Sequence, residues 1–326
     1  MLIYSGVFLC VLAVMPFTVK FAWRVGAIDV PRDWRRMHRT SIPRNGGMAI
    51  GIAFLVGCAA LNATRDVTVA YWIVGGLLVL VAGLADDIRP LPPLVKLLIQ
   101  MLAAMLVAAQ RSDLSAQGRA LAVLWVVTLT NAHNFIDGLD GLLCGVSALE
   151  AISLGILLWS ARNRLHAQVA WCLAAACLGF RVFNRHPARI FAGDCGSGSV
   201  GFWMGALSLQ LLPIGESGGF LLAPFLLFVY PLADLFAAVL RRLLRGKSPF
   251  CADRGHLHHR ICDAGLSRKS TVHVLMLLSG GFCGIAVLID AYRFYAGASL
   301  CCMALAFLLI LLRGRIVKKA SLQRSH

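Results

Sequence analysis

Apolar runs of about 17 to 22 residues, long enough to cross the hydrocarbon core of a bilayer as α-helices, recur along almost the whole chain. Eleven are predicted, over residues 1–23, 46–62, 69–85, 94–110, 119–136, 141–159, 167–183, 198–213, 219–240, 272–290 and 296–312. Lipid offers no partner to a backbone N–H or C=O, so each run is expected to be helical. The chain therefore reads as an all-α integral membrane protein, a polytopic bundle of about eleven transmembrane helices forming one unit over 1–326. The first run has no positive charge ahead of its apolar core and no small-residue cleavage pattern, so it is read as a retained span rather than a removed signal. Gly201 with Gly205 and Gly280 with Gly284 are spaced as small-xxx-small pairs and are expected at helix contacts.

With 59% hydrophobic and only 14% charged residues, the composition lies far outside the soluble range. Positively charged loops resist translocation, which turns the placement of Lys and Arg into an orientation signal. With the N-terminus outside and the C-terminus inside, 24 of the 31 basic residues fall on the cytoplasmic side and six outside, with Lys20 inside the first span. The net charge of +16 is then mostly this bias, together with attraction to anionic headgroups of membrane lipids, and nucleic acid is not expected as a partner. The eleven cysteines lie mostly in predicted spans without a spacing framework, which suits reduced, small apolar packing residues.

Polar clusters interrupt the apolar pattern at membrane boundaries, where burying a carboxylate or amide is costly without partners and function is the default explanation. Asp86 and Asp87 end one run; Asn131, Asn134, Asp137 and Asp140 sit between two others; Gly193 to Ser197, with Asp194, precedes a fourth. All three fall on the cytoplasmic side, and the long loop from Arg241 to Thr271, carrying His256, His258, His259 and Arg260, joins them. Carboxylates, amides, histidines and many cations on one face suit phosphate chemistry. Mg²⁺, with Mn²⁺ as a substitute, needs only a few hard oxygen ligands beside water and substrate phosphate, and a pair such as Asn134 and Asp194 would suffice. The histidines, flanked by Cys251 and Cys262, match no standard zinc spacing, and the oxygen-rich set disfavours a zinc hydrolase. A transporter would want polar residues deep in several spans and on both faces; Glu150 and Asp234 lie within spans but are expected to satisfy neighbouring helices.

Five ordered segments carry a family resemblance: Ile42 to Gly47; Asp86 and Asp87, then Lys96 and Gln100; Asn131 to Gly141; Phe191 to Ser197; and His256 to Arg260. Together they resemble the polyprenyl-phosphate N-acetylhexosamine-1-phosphate transferases, glycosyltransferase family 4, over most of the chain. The interrupted histidine segment, preceded by Ser248, Pro249, Phe250 and by Asp253, Arg254, Gly255, is similar to the N-acetylglucosamine-1-phosphate branch. The muramoyl-pentapeptide branch of peptidoglycan synthesis usually has three consecutive histidines and is the alternative.

The resemblance implies transfer of an N-acetylhexosamine 1-phosphate from a UDP-N-acetylhexosamine to undecaprenyl phosphate with release of UMP. The setting it implies is the cytoplasmic face of a bacterial inner membrane, at the start of a surface polysaccharide of O-antigen, teichoic acid or capsule type. A homodimer is compatible with it. Asn134 and Asp194 match metal positions, Lys96 a phosphate contact, and His256, His258, His259 and Arg260 a diphosphate clamp. Arg44, Asp140 and Phe191 match nucleotide-recognition positions, with Asn131 among the substrate-binding residues. Asp86, Asp87 and Asp137 join the catalytic set by motif alone. A lipid phosphate is already largely dianionic at neutral pH, because its second pKa is about 6, so a base is barely required there.

Overall fold

A computed structural model describes residues 1–30, 41–211, 222–248 and 255–292. Twelve α-helices appear among them: α1 Leu2–Val25, α2 Gly47–Ala60, α3 Val67–Ile88, α4 Pro93–Ala109, α5 Ala116–Ile136, α6 Leu142–Ser160, α7 Arg164–Asn184, α8 Gly193–Ser208, α9 Leu222–Leu227, α10 Val229–Leu243, α11 Leu257–Asp263 and α12 Arg268–Tyr292. Five helical stretches are long and apolar enough to cross a membrane: α1, α3, α6, α7 and Arg268–Ile289 of α12, while α2 and α4 are shorter and apolar. Large apolar side chains such as Phe17, Val56, Val81, Leu98, Leu121 and Leu124 remain exposed on the bundle's outside, as lipid contact requires. This is an all-α membrane protein. Ten of the apolar runs coincide with described helices, and 296–312 lies outside the described residues.

Two boundaries depart from the hydropathy pattern. The helix expected from residue 198 begins at Gly193, so the polar Gly193–Ser197 run is not a turn before α8 but its first turn. The run at 219–240 is divided at Phe228 into α9 and α10. Pro231 has no N–H to offer the carbonyl four residues back, which is Leu227, and that carbonyl instead accepts from the Cys283 thiol of α12 at 3.7 Å.

Helix α8 is buried along nearly its whole length, packed against α3 and α5. Gly201 permits the approach: a Cβ there would stand 2.5 Å from the Leu129 carbonyl oxygen and 2.8 Å from Thr130 Cα of α5. Gly205 sits likewise against Val126 Cα, and Gly280 makes ordinary contact with Leu149. Gly284 is a correction, since no heavy atom lies within 4 Å of a Cβ built there and it marks no helix contact among the described residues.

A two-residue antiparallel pairing, β1 Ile28–Asp29 with β2 Ile42–Pro43, returns the chain after α1 to the bundle end. From there Arg44 to Gly47 runs beside Phe191 and Ala192, with Phe191 N–H donating to Pro43 O at 2.8 Å and Gly46 N–H to Phe191 O at 2.9 Å. This threads Arg44 between α3 and the start of α8. Substituting Gly201 with Leu is expected to lower the detergent unfolding midpoint by several degrees, because overpacking against backbone commonly costs about 1–3 kcal/mol. Differential scanning fluorimetry of the two proteins checks it, and an unchanged midpoint would show that the α5–α8 contact yields easily.

Candidate active site

The end of α3 supplies two adjacent carboxylates with different surroundings. Asp87 is fully buried, its Oδ1 accepting the Asp194 N–H at 2.9 Å and its Oδ2 the Cys195 N–H at 3.1 Å. It therefore caps α8, whose first N–H groups have no partner inside the helix. Arg44 completes the arrangement, with Nε donating to Asp87 Oδ1 at 3.0 Å and Nη2 lying 2.9 Å from the same oxygen. Asp86 instead accepts the Leu91 N–H at 2.8 Å and faces Lys96 Nζ at 3.3 Å. Asp194 stands between the two cations, 2.6 Å from Lys96 Nζ and 3.4 Å from Arg44 Nη2. Burial works against the charge on Arg44, but Asp87, Asp194 and Asp86 outweigh it and hold the guanidinium above its ordinary pKa.

A cavity of about 40 Å³ opens beside Asp194, lined by Lys96, Gln100, Asn131, Asn134 and Gly198 among others. One water needs roughly 10–15 Å³ on this measure, so the space suits an ion with a few waters rather than a sugar nucleotide. The hydrogen bonds decide which atoms the amides present. Ser197 Oγ donates its one proton to Gly193 O at 2.9 Å, so it must accept from Asn134 Nδ2, also at 2.9 Å. Asn134 Oδ1 is thereby left for a cation. Both Nδ2 hydrogens of Asn131 are likewise used, toward Gln100 Oε1 at 2.7 Å and Val127 O at 2.8 Å, which leaves its oxygen as the remaining acceptor.

An amide oxygen and a carboxylate on one cavity fit Mg²⁺, which takes few protein ligands and keeps waters or phosphates. Among the described residues, no three or more His, Cys, Asp or Glu side chains gather as a cage. Asp137 follows α5 in the same region, and its pKa is pushed up to about 7 by burial, with Asp194 and Asp87 adding negative charge nearby.

The histidine segment is not loop throughout, since residues from Leu257 form α11. Its side chains pack on the turn after α5: a Cβ on Gly138 would collide with the His258 ring, and the His256 ring meets Phe135 edge-on at 5.2 Å. His256 and His258 stack in parallel at 5.6 Å, and His259 lies 4.3 Å from His258. His258 is 1% exposed, and among the described residues neither of its ring nitrogens has a hydrogen-bond partner. Burial, then His259 and His256, push its pKa down to about 3, so it is neutral at pH 7. Arg260 lies on α11, its N–H donating to His256 O at 3.1 Å.

Arg44, Asp86, Asp87, Lys96, Asn131, Asn134 and Asp194 thus share one connected site, with the histidines against its Asn134–Gly138 wall. Asp140 stands apart from these contacts, bonded to His186 Nδ1 at 2.7 Å and the Ala188 N–H at 3.2 Å, and Phe191 belongs to the backbone pairing with Pro43 and Gly46. The roles of Ser197 and His186 were not visible in the sequence; a serine in a membrane helix four residues after a glycine carries no signal of the asparagine it orients. Asp234, expected to satisfy a neighbouring helix, does so at the first N–H of α11 and also bonds His256, and Glu150 likewise pairs across helices, with His133 Nε2 at 2.8 Å.

The sequence profile described as glycosyl transferase family 4 matches residues 69–212. A probable undecaprenyl-phosphate N-acetylglucosaminyl 1-phosphate transferase of Bacillus subtilis (strain 168) is 32% identical over 284 residues, covering 83% of this chain and 79% of that protein. The chain belongs to glycosyl transferase family 4. Another similar protein is the decaprenyl-phosphate N-acetylglucosaminephosphotransferase of Mycobacterium tuberculosis (strain ATCC 25618 / H37Rv), 33% identical over 310 residues, 79% of this chain and 74% of its own. The undecaprenyl-phosphate alpha-N-acetylglucosaminyl 1-phosphate transferase of Escherichia coli O157:H7 is 28% identical over 343 residues, covering 97% and 90%.

In this family member the neighbouring aspartates are expected to separate by role. Asp87→Asn removes the buried charge opposite Arg44 and one acceptor of the α8 N–H groups, and should destabilise by about 3 kcal/mol. Asp86→Asn should keep the unfolding midpoint and lose turnover. Equal midpoints for the two variants would contradict the capping assignment. A second expectation concerns His258. Its folded pKa lies below the unfolded value of about 6.5, so as pH falls from there toward 3 the unfolded chain gains a proton that the fold refuses. Stability should fall with pH in that window by up to about 1.4 kcal/mol per unit. Melting midpoints at pH 7, 6 and 5 should fall less steeply for His258→Leu; equal slopes would rule out a neutral His258.

Proposed function

We propose that the chain transfers N-acetylglucosamine 1-phosphate, or a close N-acetylhexosamine equivalent, from its UDP derivative to undecaprenyl phosphate. The observation that carries the reading is Asp194 held between Lys96 and Arg44 at a cavity shared with Asn131 and Asn134, in a member of a family whose similar proteins carry that name. A lipid phosphate oxygen attacks the phosphorus bearing the sugar; a new P–O bond forms, the bond to the bridging oxygen breaks, and its electron pair leaves with UMP. Such a transfer depends on alignment and charge neutralisation more than on covalent help.

Lys96 and Arg44 are placed to exchange part of their hold on Asp194 for phosphate oxygens. Asn134 Oδ1 and Asp194 would hold Mg²⁺, or Mn²⁺ in its place, which supplies neutralisation of the diphosphate when bound. Asp86 sets the position of Lys96, and Asp137 sits with it on the acidic side. Asn131 contributes an amide acceptor; Asp140 and Phe191 are the nucleotide-recognition residues, with Phe191 as the ring for uracil. His256, His258, His259 and Arg260 close the leaving-group side. The topology that goes with this chemistry is eleven spans, N-terminus out and C-terminus in, with the site on the cytoplasmic face of the inner membrane. In that setting the product begins a surface polysaccharide.

Purified protein with undecaprenyl phosphate, Mg²⁺ and separate UDP-sugars should release UMP with UDP-N-acetylglucosamine or a near relative, and mass spectrometry should find the matching lipid diphosphate sugar. Asp194→Asn should lower turnover by about 100- to 1000-fold while the protein stays folded. A lipid carrying only muramoyl pentapeptide would place the chain in the other branch, and near-native turnover of Asp194→Asn would remove Asp194 from the site.

A further inference from the structure

The histidine segment is held from outside by one carboxylate that the transfer chemistry does not use. Asp234 of α10 is buried to 1% side-chain exposure, and its two oxygens go to two consecutive residues of that segment. Oδ1 accepts the Leu257 N–H at 2.7 Å, the first residue of α11, and Oδ2 meets His256 Nδ1 at 2.9 Å. The side chain of His256, the residue ahead of α11, makes no cap bond to it, and His256 is extended, φ −57° and ψ 148°. Asp234 therefore supplies from another helix both the cap and the ring's anchor.

A carboxylate only accepts, so the ring nitrogen facing it must carry the hydrogen. His256 is fixed as the Nδ1–H tautomer, which leaves Nε2 as the nitrogen that takes up or gives a proton. The ring cannot swing away easily, because Phe135 meets its edge and His258 lies parallel to its face. Phe135 is itself covered by Arg242 at 5.1 Å, and it adjoins Asn134 in the wall of the cavity. The anchor thus ties the histidine segment to the residue beside the cavity.

We infer that Asp234 is a positioning residue for the transfer, setting the tautomer and direction of His256 and the start of α11 together. This rests on the transferase reading for its consequence but not for its geometry. Asp234→Asn separates the two jobs: its carbonyl oxygen can still accept the Leu257 N–H, while its amide hydrogens would face Nδ1 and demand the opposite tautomer. Among the described residues, the charged and titratable groups around His256 are Asp234, Arg241 beside Gly255 and, through Phe135, Arg242 of α10, and His258 and His259 of α11.

The test uses full-length protein in detergent. Asp234→Asn is expected to keep its unfolding midpoint within a few degrees, to lose about 100-fold in kcat with KM for UDP-N-acetylglucosamine within about threefold, and to change its pH-rate profile. Asp234→Asn combined with His256→Ala should be no slower than His256→Ala alone, since both act through one ring. Histidine ¹⁵N NMR needs no turnover: a resonance of Nδ1–H type that vanishes in His256→Ala should change to the Nε2–H type in Asp234→Asn. Wild-type kcat and pH profile in Asp234→Asn, an additive double variant, or an unchanged tautomer would each overturn the proposal. A wild-type protein that ignores every UDP-sugar overturns the transferase reading instead, and the NMR result then decides the anchor by itself.

Discussion

The buried carboxylate of Asp87 is the interaction on which the site depends. It accepts from the first turn of α8 and pairs with Arg44, so one side chain fastens α3, the segment following β2 and α8 to each other. A carboxylate out of water is tolerable only with several donors, and here a guanidinium and two backbone N–H groups at the positive end of a helix provide them. The consequence reaches beyond stability. Because the N–H that binds Asp87 belongs to Asp194, the carboxylate at the cavity is positioned by the cap of its own helix. Gly193 is required for this, at φ +72° and with Arg44 O and Asp87 Oδ2 packed where a Cβ would be.

Much of the architecture was legible because lipid dictates the length and apolarity of what crosses it. The start of α8 was not, since Gly193–Ser197 is polar and glycine-rich; its helicity comes from Asp87 and from packing against α2, α3 and α5, which a hydropathy pattern does not contain. The division at Phe228 had a local signal in Pro231, but the thiol of Cys283 that accepts the consequence lies 56 residues from Leu227. For the site, polar residues at membrane boundaries identified the participants. Their pairing was hidden, because Arg44 is 43 residues from Asp87 and 150 from Asp194. Asp234 shows the same limit: a lone acid in an apolar run signals a buried partner, yet nothing local names a histidine 22 residues on.

The pairings also bear on the divalent cation proposed for this site. Asp86, Asp87 and Asp194 face two cations, Lys96 and Arg44, and Asp137 nearby is held partly protonated by burial, to which the same surplus of negative charge adds. A diphosphate entering this site brings further negative charge. Lys96 and Arg44 can turn donors from carboxylate to phosphate, but their two positive charges are already outnumbered by the three carboxylates they face. Two monovalent cations cannot serve both sides, and the histidine nearest the wall, His258, adds none at neutral pH. The proposed divalent ion on Asn134 Oδ1 and Asp194 resolves the conflict by attracting both the protein's carboxylates and the donor's phosphates. Its arrival would also favour ionised Asp137, so in that proposal metal, substrate and that proton would be coupled through the charge surplus that Asp87 helps to build.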